Sequence, residues 1–423
     1  MKKKLIQIYY DMRTQPVVAW VTILGTALSI FLIMTVLMMQ QVKIIPFAPE
    51  SNRDRMLYGM FFHLESNEEG AGSGSANLSY NMARRLYGDL DGVAEVSYFD
   101  KDPSHNDLKG PSGKKFTGAI RFADDAFWRI YDHTLLSGRF FTADEVAAKS
   151  RVAVLSESTA RRLFNDASPL GGHFQQNHAD YEVIGVVADV SPLASMAYGE
   201  VYVPVDLDVI WEMNGLQVFG PFTAAMLLEP GTDKEAVRGQ VLARYREVDS
   251  ELNAEGYRTV YHESPFSQEV IASGVAGSNV TPDVSGGRTL RCVLYAILLI
   301  VPAINLSTML HSRLRRRVSE LGVRRAFGCT RRRIISDIIS ENLIVTVIGG
   351  VIGLAAGIIF ALCYDGLYTN SGGEAVRPAL GLLLDWRILL SAFAACFILN
   401  IISASVPAWQ ASRLRPVEAI NAK

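Results

Sequence analysis

The side chains that could do chemistry are few and scattered. His173 and His178 form the closest histidine pair, but a five-residue spacing in a Gly-rich turn does not put two imidazoles on one metal-facing side. Ser112-Gly113-Lys114-Lys115 fits the letters of an S-x-x-K nucleophile without the partner motifs of acyl-serine enzymes. The nearest string to a phosphate-cradling G-x-x-x-x-G-K-[ST] loop runs from Gly110 to Lys115 and has the wrong spacing. The adjacent acids Glu68-Glu69, Asp124-Asp125 and Asp144-Glu145 read as solvated loop faces, and Phe127-Trp128 as core. No set of residues converges on a reaction. The expectation is a non-catalytic chain with no metal and no cofactor of its own.

What the sequence builds instead is a polarised membrane protein. The 423 residues are 49% hydrophobic and 20% charged, with a mean hydropathy of +0.17, and the apolar excess is concentrated in four runs free of Asp, Glu, Lys and Arg. These are Val17–Met39, Cys292–Leu310, Asn342–Tyr364 and Ile388–Ser412, each long enough for a membrane span. The first exceeds the ~7–15 residue apolar core of a signal peptide, and Gln40-Gln41-Val42-Lys43 is no small-residue cleavage site, so it reads as a retained anchor. The loop between the second and third runs carries Arg313, Arg315, Arg316, Arg317, Arg324, Arg325, Arg331, Arg332 and Arg333, whereas 365–387 carries only Arg377 and Arg387. The positive-inside rule places the Arg-rich loop (311–341), the N-terminus (1–16) and the tail (413–423) in the cytoplasm, and residues 43–288 outside the membrane. Leu5, Ile8, Tyr9 and Met12 follow helical spacing, so the first 16 residues are either an amphipathic helix on the membrane lipid or a frayed basic tail. A net charge of −2 suggests no nucleic-acid partner. Cys292, Cys329, Cys363 and Cys396 all avoid the outer stretch, which excludes a disulfide scaffold there.

The spans hold no ionisable group that would mark an ion or substrate path. The third instead shows Gly349, Gly353 and Gly357 at i, i+4 and i+8, a small-residue stripe for close helix packing. With only four spans, this suggests a dimer.

The outer domain alternates strand and helix patterns. Leu57–Glu65 reads as a strand, Ala76–Leu90 as a helix and Val93–Phe99 as a strand; Thr223–Leu228, Thr232–Ala254 and Tyr257–His262 repeat strand, helix, strand. Between these halves lies an insertion in which Val152–Leu155 and Val183–Val187 suit buried strands, and Glu157–Phe164 suits a helix capped by Ser156. The expected fold class is therefore an α+β extracytoplasmic domain of two lobes, inserted between the first and second of four transmembrane α-helices. Lobe 1 comprises 50–102 and 221–270, and lobe 2 comprises 103–220.

Three segments in order carry a family resemblance. The insertion contains Asp125-Ala-Phe127-Trp128, the turn Leu135–Phe141, Val152–Ser156 leading to Phe164, Pro169-Leu-Gly-Gly172 and Val183–Val187 before Val201-Tyr-Val-Pro204. This order resembles the periplasmic core domain of MacB-type permeases. Glu320, Leu321, Gly322, Val323, Arg324, Arg325, Ala326, Phe327, Gly328, Cys329 and Thr330 resemble the E-[IL]-G-[IV]-R-[KR]-A-x-G-x-[ST] signature of the FtsX/MacB superfamily. Pro407, Ala408, Ala411, Pro416, Ala419 and Ile420 resemble its closing pattern.

The resemblance implies that Glu320 to Gly328 is a coupling helix docking on a separate ABC ATPase, because no nucleotide-binding motif is visible in this sequence. ATP and Mg²⁺ would then belong to that partner. It further implies an inner-membrane permease subunit, paired with a second copy or a paralogue. ATP-driven motion would pass through its helices to the periplasmic domain, for efflux of a peptide, toxin or drug, or for lipoprotein release, with a periplasmic adaptor and an outer-membrane channel. The alternative is an FtsX-like regulator that relays the motion to a periplasmic cell-wall hydrolase.

Overall fold

The computed structural model describes residues 16–68, 72–111, 113–165, 167–213, 215–273, 281–282, 326–363, 401–405 and 407–410. It also describes single positions or short groups between 285 and 323 and between 369 and 398. Two compact units result: Val42–Gly287 with Asp365–Leu382, and Met1–Gln41 with Arg288–Tyr364 and Leu383–Lys423.

The first unit contains β1 (Met56–Gly59), β2 (Phe62–Ser66), β3 (Ser73–Ala76), β4 (Val93–Asp100), β5 (Ser104–Lys109), β6 (Lys115–Ala123), β7 (Leu135–Gly138) and β8 (Val152–Ser156). These are followed by β9 (His173–Gln176), β10 (Ala179–Val187), β11 (Val201–Pro204), β12 (Trp211–Met213), β13 (Leu216–Phe219), β14 (Phe222–Leu228), β15 (Tyr257–Thr259) and β16 (Phe266–Ser267). Six strands close on themselves in the order β6, β11, β8, β10, β9, β5 and back to β6. Alternation along them turns Leu108, Ile120, Ala153, Leu155, Phe174, Val183 and Val201 into one buried cluster, joined by Leu163 and Phe164 of the helix Glu157–Phe164. That helix starts where Ser156 accepts a hydrogen bond from the Thr159 amide.

From β6 an open sheet continues through β4, β14, β1 and β16. Two helices supply apolar faces to the core on this side. Tyr80–Tyr87, capped by Ser79, brings Met82, Ala83, Leu86 and Tyr87. Lys234–Ala254, capped by Asp233, brings Val237, Val241, Tyr245, Val248 and Leu252 at helical spacing. The single strand expected over Leu57–Glu65 is two strands in different sheets, because β2 pairs with β3 and β15. Residues 60–61 separate the two strands, and at Gly59, the last residue of β1, a Cβ would lie 2.2 Å from a ring carbon of Tyr87, so only glycine lets the ring cross the chain there.

In the second unit, Pro16–Gln41 is a 26-residue helix and Arg331–Cys363 a 33-residue helix. Among the described residues, no helix is long and apolar enough to cross a membrane. The chain from Pro16 to Gln41 carries no charge. Its 26 residues span about 39 Å at ~1.5 Å per residue, against a hydrocarbon core of ~30 Å. The runs Cys292–Leu310 and Ile388–Ser412 lie largely outside the described residues.

Candidate functional site

Of the segment expected to be a coupling helix, Val323 and Ala326 to Gly328 are described; Glu320, Leu321, Gly322, Arg324 and Arg325 lie outside the described residues. The Phe327 amide donates to the Val323 carbonyl at 3.1 Å, a single helical turn. Gly328 then takes φ +88°, the left-handed conformation that ends a helix and favours glycine. The Thr330 carbonyl accepts from the amides of Arg333 and Ile334, starting the helix Arg331–Cys363. Cys329 packs on a small cluster of Ile334, Ile338 and Ala408. Phe327, between the turn and this anchor, is 88% exposed. A phenylalanine held out at a turn leaves a large apolar area in contact with water, on the order of 150 Å² or more.

Gly349, Gly353 and Gly357 face the helix Pro16–Gln41. Added Cβ atoms would stand 2.8 Å from Thr26 Cβ, 2.4 Å from the Ala27 carbonyl oxygen and 3.4 Å from Met34 Cγ, respectively. Phe31 and Phe360 meet edge to face at 5.7 Å. The stripe is therefore filled by the chain's own first helix, which leaves a second copy without this support. On the far side of that helix Trp20, Leu24, Leu28 and Leu32 stand exposed at i, i+4, i+8 and i+12. Such a contiguous apolar face suits lipid and not water.

In the outer domain the structure reveals a polar core that the sequence reading missed. Arg53 is fully buried. It donates to Glu50 Oε2 at 2.6 Å and to the carbonyls of Val42 (2.8 Å), Ile45 (3.1 Å) and Leu193 (2.8 Å). Glu50 in turn accepts from the amides of Met196 (2.8 Å) and Ala197 (3.0 Å). Arg121, also fully buried, grips the same loop from β6 through the carbonyls of Ser195 (2.9 Å) and Tyr198 (2.8 Å), and reaches those of Asp100 and Lys101 on its other side. Residues 193–198 are thus captured by their backbone between two arginines. The only signal in the sequence is an arginine, Arg121, among the apolar neighbours Ile120 and Phe122; Arg53 sits in a polar run and gives none.

Three buried groups in this core depart from their ordinary ionisation. Burial pushes the Asp100 carboxyl up to about 7, although Arg121 3.9 Å away favours its charged form. Asp124 is likewise raised to about 7 by burial, against hydrogen bonds from Ser97 Oγ (2.6 Å) and the Tyr98 (2.7 Å) and Phe127 (3.1 Å) amides. His133, enclosed by Phe127, Trp128 and Tyr202, is lowered to about 3 by burial and then by Arg121.

Residues 19–244 match the MacB-like periplasmic core domain, and residues 292–416 match the FtsX-like permease C-terminal domain. An uncharacterised ABC transporter permease, YknZ of Bacillus subtilis, is 24% identical over 364 residues, 85% of this chain and 84% of its own length. The macrolide export ATP-binding/permease protein MacB of Bdellovibrio bacteriovorus is 27% identical over 304 residues, 70% of this chain. The match covers 42% of that MacB. Among solved structures, the periplasmic region of MacB from Actinobacillus actinomycetemcomitans matches over 51% of this chain and 92% of its own, at 18% identity and a TM-score of 0.34. A TM-score of that size bears no weight on the fold. The two domain matches, the first of them over more than half of the residues, do: the chain belongs to the MacB/FtsX-type family of ABC transporter permeases, with a MacB-like periplasmic core domain and an FtsX-like permease domain.

Proposed function

We propose that this chain is the membrane subunit of an ABC transporter that converts ATP hydrolysis on a separate ATPase chain into movement of its outer domain. Efflux of a peptide, toxin or drug, or release of a lipoprotein, is the work of that movement. The chain spans the inner membrane four times, with both termini cytoplasmic, the large domain periplasmic, and a second permease copy or a paralogue beside it. ATP and Mg²⁺ are bound by the partner ATPase. A periplasmic adaptor and an outer-membrane channel would complete the route.

The observation that carries the reading is Phe327. A large apolar side chain, 88% exposed, is held out by a glycine-ended turn within the segment similar to a coupling helix. An anchor of this kind suits the centre of a protein interface, where truncating an aromatic costs about 2 kcal/mol or more, roughly thirtyfold in affinity. The test is affinity purification of the tagged full-length chain in detergent, with mass spectrometry of what accompanies it. An ATPase is expected to co-purify, and Phe327→Ala, Glu320→Lys and Gly322→Trp are each expected to reduce its recovery by at least about tenfold. Undiminished recovery with all three variants would remove the docking assignment. A cell-wall hydrolase recovered with the ATPase would move the reading to the regulator.

A further inference from the structure

A pair of histidines joins two separate stretches of the outer domain. His63 lies on β2 and is buried; His262 follows β15 and is half-buried. Their rings stack with centroids 5.0 Å apart and 13° between planes, and His63 Nδ1 lies 2.7 Å from His262 Nε2. The other nitrogen of His262, Nδ1, is 2.8 Å from Thr281 Oγ1. Among the described residues His63 Nε2 is buried with no partner. The chain Thr281–His262–His63 therefore ties the segment after β15 and residue 281 to the three-stranded sheet. The backbone adds one bond, from the Val260 amide to the His63 carbonyl at 2.9 Å.

Two ring nitrogens at 2.7 Å require one hydrogen between them. With both rings neutral, one donates and the other accepts. A first added proton is accommodated, since the facing nitrogens can still share a single hydrogen. A second is not: both facing nitrogens would carry N–H, and two positive rings would lie in contact. The doubly charged form of the pair therefore excludes the observed geometry.

Of the surrounding anions Glu65 favours the charged form of His262, and burial and the neighbouring His63 outweigh it. On β2, Glu65 is engaged by Arg258 of β15 through Oε2. Asp249 of the helix Lys234–Ala254 is engaged by the amide and hydroxyl of Thr259. Opposite His63 on β3 stands Ser75, and beside His262 in its own segment are Tyr261 and Glu263. The His262 imidazole is held below its ordinary value, first by burial and then by His63, with Glu65 opposing.

We propose that His63, His262 and Thr281 form an acid-released latch between β2 and the C-terminal stretch of the outer domain, closed while the pair holds at most one extra proton and open when both imidazoles are charged. Acidification of the compartment around the domain would then free residues 260–262 and 281 while the large sheet and the β2–β15 pairing stay folded.

The test is amide hydrogen exchange by mass spectrometry on the full-length chain in lipid nanodiscs, from pH 7.5 to 4.5, with rates corrected for intrinsic exchange. Protection of peptides covering 257–267 is expected to fall by up to about tenfold per unit of acidification as the second proton binds, while β14 peptides keep theirs. His262→Asn, at the half-exposed position, is expected to make that region equally labile at every pH; His63→Gln provides the second variant. Glu65, Asp249 and Glu263 remain in both, so pH dependence that persists unchanged in His262→Asn belongs to them and overturns the latch. Constant protection of 257–267 across the range in the parent overturns it as well.

Discussion

Among the described residues Arg53 and Arg121 head the largest fully buried side chains, and each satisfies its guanidinium mainly with backbone carbonyls. Removing one partner of a buried, hydrogen-bonded ion pair leaves the other charge stranded, at a cost of about 3–5 kcal/mol. Arg53→Met is therefore expected to lower the unfolding free energy of the outer domain by that amount. Exchanging Glu50→Gln in the same chain should recover part of it. Chemical denaturation followed by tryptophan fluorescence measures both, and a loss below about 1 kcal/mol for Arg53→Met would show that the pair is dispensable. His133 gives a prediction in pH. Its folded value of about 3 lies below the ordinary 6.5, so the unfolded chain binds the proton first and this residue's contribution is lost as pH falls below 6.5. Asp100 and Asp124, raised to about 7, act in the opposite sense: their contribution is full below the ordinary carboxylate value of 3.8 and is lost as pH rises through 7. A comparison of His133→Phe with the parent cancels the two aspartates. The variant should gain on the parent by about 1.4 kcal/mol per pH unit between 6.5 and 4. A difference independent of pH would mean that His133 is solvated in the folded protein. Of these residues only Arg121 gives a signal in the sequence, and Asp124, which reads there as a solvated loop acid, is buried on Ser97 and the Tyr98 and Phe127 amides; a buried charge or imidazole is specified by groups far along the chain, and single-residue patterns do not carry that information.

Elements were easier to read than residues. The helix Glu157–Phe164 and its Ser156 cap, the helix ending at Ala254 and strands β4, β8 and β14 follow local rules: a cap side chain, helical spacing of apolar residues, alternation in strands. Where the reading failed, a distant contact had overruled the local pattern, as when Tyr87 crosses the chain at Gly59. The same contrast separates two glycine substitutions. Gly239 lies exposed in the helix Lys234–Ala254, and a Cβ there would meet nothing within 4 Å. Gly239→Ala is expected to stabilise the domain by about 0.5–1 kcal/mol. Gly353→Ala would place its methyl 2.4 Å from the Ala27 carbonyl oxygen and is expected to push the two long helices apart. The detergent-solubilised protein should then unfold at a lower temperature, and Gly353→Leu should be worse. An unchanged melting temperature for Gly353→Leu would show that these helices are not packed through the glycine stripe.

For the molecule as a whole, the sequence leads to an expectation of polarity: a stretch of ordinary composition beside uncharged runs whose flanking arginines would set an orientation. It could not supply the closed ring, since which strands become neighbours depends on pairings such as β6 with β11, some 80 residues apart and invisible to any local window. If the reading as a transporter subunit is right, ATP hydrolysis by the purified complex should require both chains. Substituting Phe327 should abolish any stimulation by this chain without changing the fold of its outer domain, as seen by circular dichroism. A stimulated ATPase rate that survives Phe327→Asp would separate docking from coupling.

The ring of six strands has a consequence for how such a domain tolerates crowding. Every strand in it has a neighbour on both sides, so it offers no row of unpaired amides and carbonyls to another chain. The edges left over in this sheet are β16, two residues long, and β7, four residues long and irregular where Leu135 to Ser137 meet Val186 and Val187. Edges this short are poor templates for strand addition. Copies can therefore stand close together without recruiting one another through the edges of this large sheet.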